Sequence, residues 1–198
     1  MHLREPAIVV AARPHGETAI IARTLTRDHG LVASYVAGGR GRNLRPVAIP
    51  GNLVELQLSV RSESQLPFGK LELTESRGPW LGEPLPAAAI GWACALTATA
   101  LPERQPYPSL FDALAALLSA VCHAPSARGW AGALVGYETL LLRELGYGGG
   151  QRPDGELAEV LAAMDALAAP LDHYLLADRR GDVMGARQRL REMLGRIV

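Results

Sequence analysis

Side chains able to carry covalent or acid–base chemistry are few in this chain, and they are scattered. His2, His15, His29, His123 and His173 fall in no shared motif. Neither a Gly-x-Ser-x-Gly elbow nor a His-Glu-x-x-His pair is present. Gly38-Gly39-Arg40-Gly41 is glycine-rich, but no Gly-Lys-Ser/Thr follows, so a phosphate loop is unsupported. His15 and Glu17 flank Gly16, a spacing that reads as a turn rather than as a base with its partner. Cys94 and Cys122 stand outside any CxxC or Cys/His cluster. A structural zinc site needs four ligands, usually in close pairs, and a disulfide framework needs more bridges. The two read as buried, reduced thiols. We therefore expect no catalytic residue, no metal and no cofactor, and a protein that is not an enzyme.

What remains is binding chemistry. The stretch from Gly38 to Pro46, GGRGRNLRP, holds Arg40, Arg42 and Arg45, with no acid between Asp28 and Glu55. Glycines let a backbone lie close to a ligand, and guanidinium groups offer forked donors suited to phosphate oxygens. Arg13, Arg23 and Arg27 lie in the same half-domain, so residues 1–45 carry seven bases against three acids. A surface of that charge follows a nucleic-acid backbone by counterion release, without reading sequence. Tyr35 and Phe68 are the only aromatics of the segment before Trp80. Affinity should therefore come chiefly from phosphate contacts.

The elements that must hold these residues change character along the chain. Residues 7–12, 18–26 and 31–37 are short runs rich in apolar or β-branched residues, separated by Pro14-His15-Gly16 and Asp28-His29-Gly30. Val54, Leu56, Leu58 and Val60 alternate with Glu55, Gln57, Ser59 and Arg61, the pattern of a strand with one face in a core. Leu71 and Leu73 alternate likewise in a fifth strand. Five short strands predict a small closed barrel, an OB-fold or an SH3-like barrel.

After Pro79 the chain becomes rich in alanine and leucine. Helices are expected over 86–101, over 109–121 with Ser109 as N-cap, over 126–145 with Gly146 as C-terminal cap, and over 156–176 and 182–197. The expected fold class is a multidomain α+β chain, a five-stranded barrel at 1–79, for which an OB-fold is the commonest solution, and an all-α bundle at 80–198.

Charge is blocked rather than uniform. The 198 residues carry formal net charge +0, and nineteen of the twenty bases are arginine. Residues 1–80 hold ten bases against seven acids, residues 81–178 four against eleven, and residues 179–198 six against two. The terminal block includes Arg180, Arg187 and Arg191, on an expected helix with an apolar stripe. It is a candidate second polyanion or acidic-peptide contact. The longest uncharged stretch, residues 84–102, is too rich in Ala, Thr and Gly for a membrane span. No signal peptide is expected, and the chain reads as cytoplasmic.

At this point a family resemblance emerges. Arg13-Pro14-His15-Gly16-Glu17-Thr18, Leu25-Thr26-Arg27-Asp28-His29-Gly30 and Val36-Ala37-Gly38-Gly39-Arg40 resemble the amino-terminal domain of the bacterial recombination mediator RecO family. Pro50-Gly51-Asn52-Leu53-Val54-Glu55 and Leu101-Pro102-Glu103-Arg104-Gln105-Pro106-Tyr107-Pro108 are similar to it too. So is Tyr137-Glu138-x-x-Leu141-Leu142-x-Glu144-Leu145-Gly146-Tyr147-Gly148. The resemblance implies an OB-fold followed by a helical domain that binds single- and double-stranded DNA and anneals complementary strands. It also implies help for RecA in replacing single-strand-binding protein (SSB), acting with RecR and gripping the acidic, apolar-ended SSB tail. Such a protein is nucleoid-associated. Arg40 and Arg42 stand in the family's basic stretch, while Arg45 is added on charge alone. Two departures stand out. Gly148-Gly149-Gly150-Gln151 replaces an insertion that in some members carries a four-cysteine zinc module, and Val135-Gly136 precede Tyr137-Glu138 where relatives can have an arginine. Arg128, Arg143 or the terminal arginines are the candidate substitutes. A protein adaptor working through its acidic helical domain, and an RNA-binding OB module, are the alternatives.

Overall fold

The computed structural model describes residues 2–60, 65–150, 153, 155–177 and 183–197. Two compact units form, Met1–Gly82 with Leu101–Phe111, and Glu83–Ala100 with Asp112–Val198. The first is a closed barrel of β1 (His2–His15), β2 (Ala19–Thr26), β3 (Gly30–Val36), β4 (Leu53–Ser59) and β5 (Phe68–Glu75), in the order β1-β2-β3-β5-β4. β3 meets β5 in parallel at Tyr35 and Phe68, and the other pairings are antiparallel. That closure is the OB-fold, and it removes the SH3-like alternative.

β1 runs longer than its apolar centre predicts because it changes partner. His2–Ile8 pairs with β4, and Ala7–His15 pairs with β2, with a bulge between Val9 and Ala11 where the strand bends. Ala7, Val9, Ala22, Val32, Val54, Leu56 and Leu71 fill the interior. Leu73, assigned by alternation to the face of Leu71, is 40 % exposed, next to a one-residue slip of the β4–β5 ladder.

Since β3 and β4 are not neighbours, GGRGRNLRP is not a hairpin tip. It begins a crossover that packs on the barrel. Leu44 and Val47 lean on the core around buried Ala48, and amides of Leu44, Arg45, Val47 and Ala48 close helical turns. Gly38 has φ +67°, and a Cβ on Gly39 would stand 2.4 Å from the Ile20 side chain, so neither position accepts a larger residue without strain. The far end of the crossover is pinned by Asn52, which is fully buried. Its amide donates to the carbonyls of Pro46 and Val47 (2.9 and 3.1 Å), and its Oδ1 accepts from the Arg77 backbone N–H at 2.7 Å. Asn52→Ala removes all three bonds and strands the buried Arg77 N–H. It is expected to cost about 1–3 kcal/mol, read as a lowered urea midpoint.

The helices are α1 (Pro84–Ala100), α2 (Pro108–His123), whose first turn to Phe111 belongs to the first unit, α3 (Ala131–Glu144), α4 (Leu157–Pro170) and α5 (Val183–Gly195), and they bury leucines at the expected spacing. α2 starts at Pro108, a proline fitted to the first helical position. Leu110 and Phe111 donate to the Tyr107 carbonyl, so Ser109 lies inside the first turn rather than capping it. Residues 126–145 do not make one helix. Ala127–Gly129 is a 3₁₀ turn, and Trp130 (φ −127°) separates it from α3. α3 ends as expected at Gly146 (φ +86°). Tyr147 N–H donates to Leu142 O and Gly146 N–H to Arg143 O, a Schellman cap. After Pro170, which lacks an amide donor, α4 continues with wider π-type turns over Leu171–Leu176. Cys94 and Cys122 are buried and unbonded to each other. No helix among the described residues is long and apolar enough to cross a membrane.

Candidate nucleic-acid interface

The tight β1–β2 connection, residues 16–18, faces the start of the β3–β4 crossover because Ile20 pairs with Val36. Arg40 joins them. Its Nη1 donates to the carbonyls of Gly16 and Glu17 (3.1 and 3.0 Å), and its backbone N–H donates to Thr18 O at 3.0 Å. One side of the Arg40 guanidinium is thus spent on the fold, while its charge stays at the surface. Arg42 and Arg45, one helical turn on, are exposed, as is Arg13 at the end of β1. None of these three pairs with a carboxylate among the described residues. Residues 13–18 and 37–48 carry these four arginines and a single acid, Glu17.

Arg23 and Arg27 are not brought to this end. β2 places its two turns roughly 25 Å apart at the usual rise of a strand. Arg27 sits at the far turn with Asp28 at 3.9 Å, and Arg23, partly covered, pairs with Glu103 at 3.3 Å. Glu103 reaches it because Leu101–Phe111 lies along β3, where Arg104 (φ +60°) donates to Leu31 O at 2.9 Å.

The helical arginines divide similarly. Arg187, expected on a contact surface, is instead 3 % exposed. Its Nε and Nη2 donate to the two oxygens of Glu138 (2.8 and 2.7 Å), and Nη2 also donates to Met164 O. Desolvating a guanidinium this far requires such pairing, so Arg187 is a structural residue. Arg191 is bidentate to Asp165 (2.8 and 2.7 Å). Arg128 is exposed and donates to Ile197 O at 3.2 Å. Arg143 is exposed and lines a groove of ≈ 820 Å³ between α2 and α3, with Leu117, Gly129, Gly136 and Leu140. Arg180 lies outside the described residues.

Hydrogen bonds from Arg191 hold the Asp165 carboxyl below the usual carboxylate range, with a smaller contribution from the charges of Arg191 and Arg187. A lowered folded value means the pair's stabilisation is complete above the ordinary aspartate value and fades as pH falls through the folded one. The carboxylate is more than half exposed, so solvent screening limits the effect to about 0.5 kcal/mol. The urea midpoints of the wild type and Asp165→Asn should differ slightly at pH 7 and converge as pH falls below the ordinary aspartate range.

Composition undervalues the aromatics. Tyr35 stands edge-to-face between His15 and Phe68, with ring centroids 5.8 and 5.4 Å away. Only strand register brings these three together; Arg13, Ile21, Tyr35 and Phe68 are successive partners across β1, β2, β3 and β5.

The family model described as recombination protein O N terminal matches residues 1–77, and the recombination protein O C-terminal model matches residues 84–148. The chain belongs to the RecO family. The DNA repair protein RecO of Rhodospirillum centenum is 46 % identical over 149 residues, 75 % of this chain and 58 % of that protein. RecO of Rhodospirillum rubrum is 42 % identical over 144 residues (71 % and 57 %), and that of Phenylobacterium zucineum 39 % over 149 (75 % and 60 %). The chain thus matches less than two thirds of the length of each of these relatives. The RecO match ends at residue 148, whereas α5, with Arg187, is tied to Glu138 inside the matched region.

Proposed function

We propose that this RecO-family chain is a DNA-repair mediator that works in the cytoplasm on nucleoid DNA. On this reading it binds single- and double-stranded DNA through the arginine end of its barrel, without sequence preference. The observation that carries the reading is the cluster of Arg13, Arg42 and Arg45, exposed and unpaired among the described carboxylates, on a crossover that Arg40 and Asn52 hold in place. Neutralising phosphates lowers the repulsion between two strands, and a surface that engages few phosphates releases them afterwards. On this reading the chain anneals complementary strands and, as the family resemblance implies, assists RecA loading together with RecR on SSB-coated DNA. The groove between α2 and α3, with its apolar floor and Arg143 at its rim, suits the acidic, apolar-ended tail of SSB. Tethering there would raise the concentration of the barrel beside SSB-bound strands.

Annealing of complementary strands coated with intact SSB, or with SSB lacking its tail, tests this directly. The protein should accelerate annealing with intact SSB by at least about tenfold, and lose most of that gain when the tail is removed. Equal acceleration on both would remove the tail from the account. No acceleration on either would leave the chain without the mediator role.

A further inference from the structure

The mediator reading engages the barrel and the groove between α2 and α3, and leaves one exposed feature of the helical unit unused. We propose that Tyr147 and Tyr174, flanked by Glu144 and Asp172, are a docking site for a protein segment that presents arginine, with the guanidinium extending the tyrosine stack. The inference stands apart from DNA binding and gives the acidic helical unit a partner of its own.

Three observations carry it. First, the stack is held by two fixed pieces of backbone. Tyr147 sits in the cap of α3, where its N–H donates to Leu142 O at 2.9 Å, between Gly146 and Gly148, both with positive φ (+86° and +78°). Tyr174 lies on the π-type turns that follow Pro170, anchored from the opposite side by buried Leu171, Leu175 and Leu176. Wider turns of this kind recur at functional sites. The two ring centroids are 4.9 Å apart with their planes inclined by 15°, and His173 stands edge-on to Tyr174 at 4.7 Å.

Second, the stack is not packed away. Tyr147 is 49 % exposed and Tyr174 48 %, in a unit that buries Trp92, Trp130 and Tyr137. A phenol needs only its hydroxyl tip in water, and these two rings leave far more than that open.

Third, the charge beside the rings selects the occupant. Glu144 stands three residues before Tyr147 and Asp172 two before Tyr174. Both carboxylates are exposed, and neither meets a cationic side chain among the described residues. Arg143, the neighbouring cation, lines the groove between α2 and α3. Residues 81–178 as a whole carry four bases against eleven acids. Such a surface repels a phosphate backbone. A guanidinium suits it, because that group is planar, stacks on aromatic faces and pairs with carboxylates through forked donors. Lysine brings the charge without the plane, so the site favours arginine.

The test uses a short labelled peptide of alternating glycine and arginine and its glycine–lysine counterpart. Each is titrated with wild type, Tyr174→Ala, Tyr174→Phe and the double variant Glu144→Gln with Asp172→Asn. Wild type should bind the arginine peptide about fivefold more tightly than the lysine peptide, a comparison that needs no variant to fold. Tyr174→Ala should abolish that preference, while Tyr174→Phe, which keeps the ring, should stay within about twofold of wild type. The double variant should weaken both peptides by at least about threefold. Equal affinity of wild type for the two peptides would overturn the site. So would a Tyr174→Ala protein that has a lowered urea midpoint and an intact arginine preference, since the stack would then only brace the π-type turns. Oligothymidylate binding that depends on Tyr174 would also overturn it, because the stack would then serve nucleobases.

Discussion

Arg187→Ala should cost the helical unit about 3–5 kcal/mol, a large share of the stability of any single domain. The Glu138 carboxylate is fully buried and gathers three helices. It accepts from Trp92 Nε1 of α1 at 2.8 Å and from Arg187 of α5, while sitting on α3 itself. Arg187 adds the carbonyl of Met164 on α4, and its guanidinium lies 5.9 Å from the centre of the Trp92 ring. Removing the cation leaves a carboxylate in an apolar interior with one indole donor. Glu138→Ala should be comparably damaging, because it strands the guanidinium. Replacing both, as Glu138→Leu with Arg187→Met, should recover much of the loss, since neither buried charge then lacks its partner. Urea denaturation of the four proteins measures this coupling. Should Arg187→Ala unfold at the wild-type midpoint but bind DNA more weakly, Arg187 would be a surface contact after all.

The second large effect is on binding. Arg13→Ala, Arg42→Ala and Arg45→Ala together should lower affinity for single-stranded DNA at least about tenfold at low salt. All three side chains are exposed, so the melting temperature should stay within about a degree of wild type, as expected of surface substitutions. Arg40→Ala belongs to a different class. It removes charge and also opens the clasp on Gly16 and Glu17, so it should lose both affinity and about 1 kcal/mol of stability.

The contrast among the arginines shows what a sequence can and cannot express. Alternation at Val54, Leu56 and Leu58 made β4 legible, because a strand with one wet face writes its burial into every second residue. β1 was half hidden. Pro14 opened an expected turn, yet the strand runs through it, and residues 2–6, ahead of the apolar run, belong to the strand as it turns from β4 to β2. Charge blocks located the basic surface only coarsely. A count of arginines does not reveal which of them meet carboxylates, and the partners of Arg23 and Arg187 lie 80 and 49 residues away. Arg187 stands four residues after Val183 and three before Leu190, on the apolar stripe of α5 itself, so its burial was written in the helical spacing, while its partner Glu138 on a different helix was not. Tyr35 and Phe68 were visible as residues but not as a pair, since only the parallel β3–β5 contact juxtaposes them.

The most direct test of the account is the slope of log affinity against log salt for oligothymidylate, measured on wild type and on the Arg13, Arg42 and Arg45 triple alanine variant. Each phosphate contact removed should reduce the slope by about 0.7, so the variant's line should be shallower by about 2. Parallel lines for the two proteins would contradict the account and place the phosphate-binding surface elsewhere on the molecule.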